Sequence, residues 1–139
     1  MDERPLAGCR ILAVDDDEAN LRVLRRLLER AGCTVETTSD PTAAAALTTK
    51  FRPGLVLLDI NMPVMDGYAV LGALHERDHG YPVPPVIVLS GEAPEEATVR
   101  ALAAGAFDFV RKPYDVNDLL DRVFAALGLH RRDGAYRHG

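Results

Sequence analysis

Four apolar runs in this chain each stop at, or just short of, a residue that can do chemistry. Ile11-Leu12-Ala13-Val14 ends at Asp15-Asp16, Leu55-Val56-Leu57-Leu58 at Asp59, and Val86-Ile87-Val88-Leu89 at Ser90; Lys112 lies just beyond Phe107-Asp108-Phe109-Val110. Short Val/Leu-rich runs bounded in this way read as parallel strands buried on both faces. Open α/β sheets carry their chemistry at the carboxyl ends of such strands. Acids, a hydroxyl and an amine on one rim point to phosphoryl chemistry. Crowded carboxylates repel, and a cation removes that cost. Hard oxygen donors with no thiolate or imidazole among them select Mg2+ or Mn2+. Asp15 to Glu18 taken alone could be an acidic first turn complementing a helix dipole, but that leaves Asp59 unexplained.

The frame for these residues alternates strand and helix five times. A strand over about Arg10 to Val14 leads into a helix with Leu21, Leu24, Leu27, Leu28 and Ala31 on one face and Arg22, Arg25, Arg26 and Glu29 on the other. Gly32 stops it. A short strand, Thr34 to Thr37, precedes Asp40-Pro41, a cap and an opener for an alanine-rich helix ending near Lys50. After the strand ending at Asp59 comes the loop Ile60 to Met65, then Asp66-Gly67 opening a helix through Val70, Leu71 and Leu74. A helix carrying Val99 and Leu102 is closed by Gly105. The last helix, capped by Asp115 and ended by Gly128, shows the stripe Val116, Leu119, Leu120, Val123, Phe124, Leu127. Five βα units with short connections require right-handed crossovers and a three-layer doubly wound α/β sandwich. The pattern does not fix the strand order.

At 139 residues, 47% apolar and 27% charged, the chain fits one soluble domain. A net charge of −5 argues against direct nucleic-acid binding. No apolar run approaches a membrane span, and Met1 to Pro5 lack the core of a signal peptide, so a cytoplasmic location is expected. Cys9 and Cys33 each precede a strand and read as small buried thiols near one another at the opposite edge of the sheet. His75 and His79 have chelating i, i+4 spacing but read as a solvated surface pair beside Arg77 and Asp78. Residues 129–139 show no apolar period and are expected to be a mobile tail or the start of a linker; residues 1–8 form a short extension.

Over residues 9–128 the chain resembles the receiver domain of two-component response regulators, the CheY-like family. The resemblance rests on Ile11 to Asp16, on Leu57-Leu58-Asp59-Ile60-Asn61-Met62-Pro63-Val64-Met65-Asp66-Gly67, on Val88 to Gly91, on Ala104-Gly105-Ala106, and on Phe109 to Pro113, in matching order and spacing. It implies a flavodoxin-like (βα)5 fold with strand order 2-1-3-4-5. It implies a switch rather than an enzyme, catalysing only its own phosphorylation and dephosphorylation. Asp59 is then the phosphoacceptor, supplied by a histidine of a sensor kinase or phosphotransfer protein. Asp15, Asp16, Asp59 and the backbone carbonyl of Asn61 hold Mg2+ (or Mn2+), Lys112 pairs with one phosphoryl oxygen, and Ser90 hydrogen-bonds another. The Lys112-Pro113 bond is expected to be cis. Ser90 and Phe109 form the implied switch, Phe109 standing where many relatives carry tyrosine. The implied output face is the fourth helix, fifth strand and fifth helix. Glu92 lies where it could tune dephosphorylation, and Met62, Pro63 and Met65 shape the loop after Asp59.

Other readings stay open at this point. Asp15 and Asp17 form an Asp-x-Asp like that of haloacid-dehalogenase-type phosphatases, in which Asp15 would be the nucleophile. Glu18-Ala19 do not continue that motif, and Asp59 is left without a task. A nucleotide or flavin site lacks a Gly-rich or Ser/Thr-rich first loop. The output lies with a downstream domain or protein, and a second copy of the chain is a further candidate partner.

Overall fold

The computed structural model describes residues 6–59, 67–91, 94–132 and 135–138. The expected alternation is present: β1 (Arg10–Val14), α1 (Glu18–Arg30), β2 (Thr34–Thr38), α2 (Ala44–Phe51), β3 (Leu55–Asp59), α3 (Gly67–Glu76), β4 (Val86–Ser90), α4 (Pro94–Ala103), β5 (Asp108–Arg111) and α5 (Val116–Ala126), followed by β6 (Leu129–Arg132) and β7 (Ala135–His138). Caps set several of these boundaries. Asp17 accepts from the amides of Ala19 and Asn20 at the start of α1, and Asp115 from those of Asn117 and Asp118 at the start of α5. Asp40 caps a single 3-10 turn, Pro41–Ala43, that feeds α2. Gly105 closes α4 at φ 103°, where a Cβ would stand 2.9 Å from the Nε2 of His75.

β1 to β5 form one parallel sheet in the order β2-β1-β3-β4-β5, the flavodoxin-like order. All five residues of β3 and of β4 are buried, as strands covered on both faces must be. Alternate positions divide between two cores. Ile11, Ala13, Leu55, Leu57, Ile87 and Leu89 pack with Leu24 and Leu28 of α1 and Leu119, Val123 and Phe124 of α5. Leu12, Val14, Val56, Leu58, Val86 and Val88 pack with Ala44 of α2, Val70, Leu71 and Leu74 of α3 and Ala101 of α4. On α4, Val99 and Leu102 are exposed. Among the described residues no helix is long and apolar enough to cross a membrane.

Two expectations are corrected. Residues 129–132 and 135–138 pair antiparallel instead of forming a featureless tail, and Leu129 is buried against the α1/α5 core. Burial of one apolar side chain anchors the first strand. His79 is buried, not solvated: Nε2 donates to the Leu74 carbonyl (2.8 Å) and Nδ1 meets the Thr49 hydroxyl (2.6 Å), tying α3 to α2. His75 stays exposed. Cys33 is buried and Cys9 half-buried in one core, as expected of small thiols.

Candidate functional site

The register Ala13↔Leu57 and Val14↔Leu58 carries β1 and β3 to their carboxyl ends side by side, so the next residues, Asp15 and Asp59, are neighbours. Both are nearly inaccessible, Asp15 at 2% and Asp59 at 4% exposure, while Asp16 is exposed. Carboxylate oxygens of all three lie within 4.8 Å of one another. Lys112, one residue past β5, sets its Nζ 2.7 Å from Asp59 Oδ2 and 3.8 Å from Asp15 Oδ2. Asp15 is oriented by the Asp17 amide (3.0 Å) and the Asn20 side-chain amide (3.4 Å).

The electrostatics follow from this crowding. Burial pushes the Asp15 carboxyl up to about 6; the amide of Asp17 opposes the rise, the charge of Asp59 adds to it, and Lys112 opposes it. Burial alone would pull the Lys112 amine down, but its hydrogen bond to Asp59 and the charges of Asp59 and Asp15 outweigh that and raise it. The ammonium is therefore held charged between two carboxylates it does not fully neutralise. A second cation fits that deficit, and an all-oxygen donor set suits Mg2+.

Ser90 ends β4 with no exposed surface, and its carbonyl accepts from the Lys112 amide at 2.7 Å. The Lys112-Pro113 bond is cis, as expected. Phe109, the register partner of Val88 on β5, is 8% exposed and lies in the core that contains Ala101 and Ala106. Thus Asp15, Asp16, Asp59, Ser90 and Lys112 meet at one sheet edge, with Phe109 two residues further back along β5 from the register partner of Ser90. Asn61, Glu92 and Asp66 lie outside the described residues.

Two participants escape a reading of strand ends. Asn20, in the first turn of α1, reaches back to Asp15; Tyr114 follows the Lys-Pro pair. Both border a cleft of about 260 Å³ shared with Asp15 and Lys112. Burial raises the Tyr114 hydroxyl, the charge of Lys112 opposing and that of Asp15 adding. Only the residues' proximity to the motifs in sequence could have signalled them.

Known proteins are similar to this chain over most of its length. A family model of the response regulator receiver domain matches residues 11–124. The transcriptional regulatory protein PrrA of Mycobacterium leprae is 42% identical over 126 residues, covering 91% of this chain and 52% of PrrA, so the chain spans about half the length of that relative. The chemotaxis protein CheY4 of Vibrio cholerae superposes with a TM-score of 0.79 at 31% identity, over 87% of this chain and 100% of that one. The receiver domain of the sensor histidine kinase PA1611 from Pseudomonas aeruginosa, solved with a magnesium ion coordinated in its active-site cleft, gives 0.77 at 29% identity, over 88% and 99%. With the family model spanning most of its length and the parallel order β2-β1-β3-β4-β5 beneath the acidic edge, the chain belongs to the response regulator receiver domain family of two-component signalling.

Proposed function

We propose that Asp59 accepts a phosphoryl group from a phosphohistidine of a sensor kinase or phosphotransfer protein and that the phosphorylated domain signals through the surface formed by α4, β5 and α5. The observation that carries this is Lys112 Nζ at 2.7 Å from Asp59 Oδ2, at an edge where the oxygens of Asp15, Asp16 and Asp59 cluster. An Asp59 carboxylate oxygen attacks phosphorus in line. The P–N bond breaks, and its electron pair leaves with the imidazole. An acyl phosphate remains, with about two negative charges. Phosphoryl transfer asks the protein chiefly for positioning and charge compensation. Lys112 exchanges its partner, from the Asp59 carboxylate to an equatorial phosphoryl oxygen. Asp15, Asp16 and Asp59, with the carbonyl of Asn61, are the residues that would hold Mg2+ (or Mn2+), which when bound compensates the charge of the donor and product oxygens. The magnesium seen in the PA1611 receiver supports that choice.

Ser90 then turns its hydroxyl to a phosphoryl oxygen, and Phe109 follows into the space released. Glu92 tunes the lifetime of the acyl phosphate. The output is a downstream domain or protein, or a second copy of the chain. The phosphatase reading from Asp15-x-Asp17 is disfavoured because Asp17 is engaged as the cap of α1. Mass spectrometry after Mg2+ and acetyl phosphate tests the proposal. Wild type gains one labile phosphoryl group on Asp59 and Asp59→Asn gains none; no gain in wild type, or an undiminished gain in the variant, overturns it.

A further inference from the structure

The edge of the sheet opposite Asp59 carries a second pair of facing side chains. β1 and β2 begin in register, Arg10 opposite Thr34, and the Thr34 amide donates to the Cys9 carbonyl at 2.8 Å. The residues one step back, Cys9 and Cys33, are therefore neighbours across a parallel ladder. They also share a face. Ile11 and Val35, two positions on, both point into the α1/α5 core, and Cys33 and Cys9 pack into that same core. Adjacent strands run about 4.8 Å apart, inside the roughly 4.4–6.8 Å Cα separation that a disulfide spans. The small adjustment needed to bring the sulfurs together has somewhere to go. Cys9 precedes β1 and follows Gly8, which has φ +84° and open space around it.

We propose that Cys9 and Cys33 are a reversible redox pair, forming an intramolecular disulfide when the protein meets a small-molecule disulfide. Half-buried Cys9 reacts first: its thiolate displaces one thiolate from the reagent and leaves a mixed disulfide on Cys9. The sulfur of Cys33, losing its proton to solvent, then attacks the Cys9 sulfur and expels the second thiolate. The sum is a protein dithiol plus one small disulfide giving a protein disulfide plus two small thiols. Burial holds both thiols protonated, Cys33 up to about 12, with the charge of Cys9 adding to the rise. Exchange is consequently slow, and the pair acts as a staple set by sustained oxidation rather than as a rapid sensor.

The staple joins the starts of β1 and β2 and closes the loop containing α1, far from the carboxyl edge. It is independent of the phosphoryl chemistry proposed above. Incubating the full chain with oxidised glutathione at mildly alkaline pH, then mapping peptides without reduction, tests it. The expected product is a monomer lighter by two hydrogens, with Cys9 linked to Cys33 and a melting temperature raised by roughly 5–10 °C, reversed by dithiothreitol. Cys33→Ala stops at a glutathione adduct on Cys9. Intact thiols, a persistent adduct on wild-type Cys9, or a Cys9-linked dimer overturns the proposal, and the wild-type map decides it even if the variant fails to fold.

Discussion

Replacing Asp15 by asparagine in the metal-free protein removes a carboxylate whose ionisation opposes folding. Its pKa moves from 3.8 to about 6 when the protein folds, chiefly through burial. The folded state therefore holds the Asp15 proton more tightly than the unfolded chain does. Stability falls as pH rises through the interval between 3.8 and about 6, and the penalty is fully present above it. A shift of that size corresponds to about 3 kcal/mol at neutral pH. The asparagine of Asp15→Asn keeps an oxygen for the Asp17 amide, and the raised pKa is already net of the attraction to Lys112 at 3.8 Å, so the gain is about 3 kcal/mol. In EDTA at pH 8 the variant should thus melt roughly 8–12 °C above wild type. The difference should shrink through pH 6 and vanish below pH 4, because effects common to both proteins cancel. Millimolar Mg2+ should reverse the order at pH 8 by binding the folded wild type. Thermal melts across pH, with and without Mg2+, supply the readout. A difference that does not change with pH in EDTA, or a variant less stable at pH 8, refutes the electrostatic account.

Lys112→Met removes the ammonium that competes for the same carboxylates. Mg2+ binding by titration calorimetry should tighten by roughly ten-fold, while labelling by acetyl phosphate slows by at least about a hundred-fold. Phe109→Ala empties a position only 8% exposed and should cost about 3 kcal/mol in urea unfolding, with Phe109→Tyr close to wild type. Gly105→Ala meets both a φ of 103° and His75 at 2.9 Å, and should cost roughly 1–3 kcal/mol. Adding His75→Ala should restore only the part due to the clash, separating it from the backbone strain in a double-mutant cycle.

The site was legible wherever a strand ran apolar up to a charge. β3 reads Leu-Val-Leu-Leu and stops at Asp59 because a strand covered on both faces tolerates polarity only at its end. The caps Asp40 and Asp115 were legible for a similar local reason, since each satisfies amides two or three residues on. The cap Asp17 was not, because it lies inside the acidic stretch Asp15 to Glu18. What failed was non-local. His79 meets Thr49 across 30 residues, and no periodicity around Arg77 and Asp78 betrays that burial. The β6–β7 pair lacks alternating hydrophobicity, so periodicity did not reveal it. Strand order came from family resemblance alone, because short crossovers are compatible with several orders.

The two faces of the sheet constrain how a phosphoryl group on Asp59 is felt elsewhere. Asp15 and Asp59 continue the positions of Ala13 and Leu57, which face α1 and α5; Ser90 continues those of Val86 and Val88, which face α3 and α4. Phe109 lies on the Ser90 side. Under the proposed function, the signal must therefore pass around the carboxyl edge, where the Lys112 amide holds the Ser90 carbonyl, rather than through the strands. The helix it reaches most cheaply is α4. Of its side chains at 99–103 only Ala101 is buried, whereas α3 buries Val70, Leu71 and Leu74. The described part of α4 thus offers less apolar contact than α3, and a segment held by less yields first. Phosphorylation should then change amide hydrogen exchange in α4 and at the start of β5 by several-fold while leaving α3 nearly unaltered. Equal changes in α3 and α4, or changes confined to α1, would mean that the charge acts through the α1/α5 face and that Ser90 and Phe109 are bystanders.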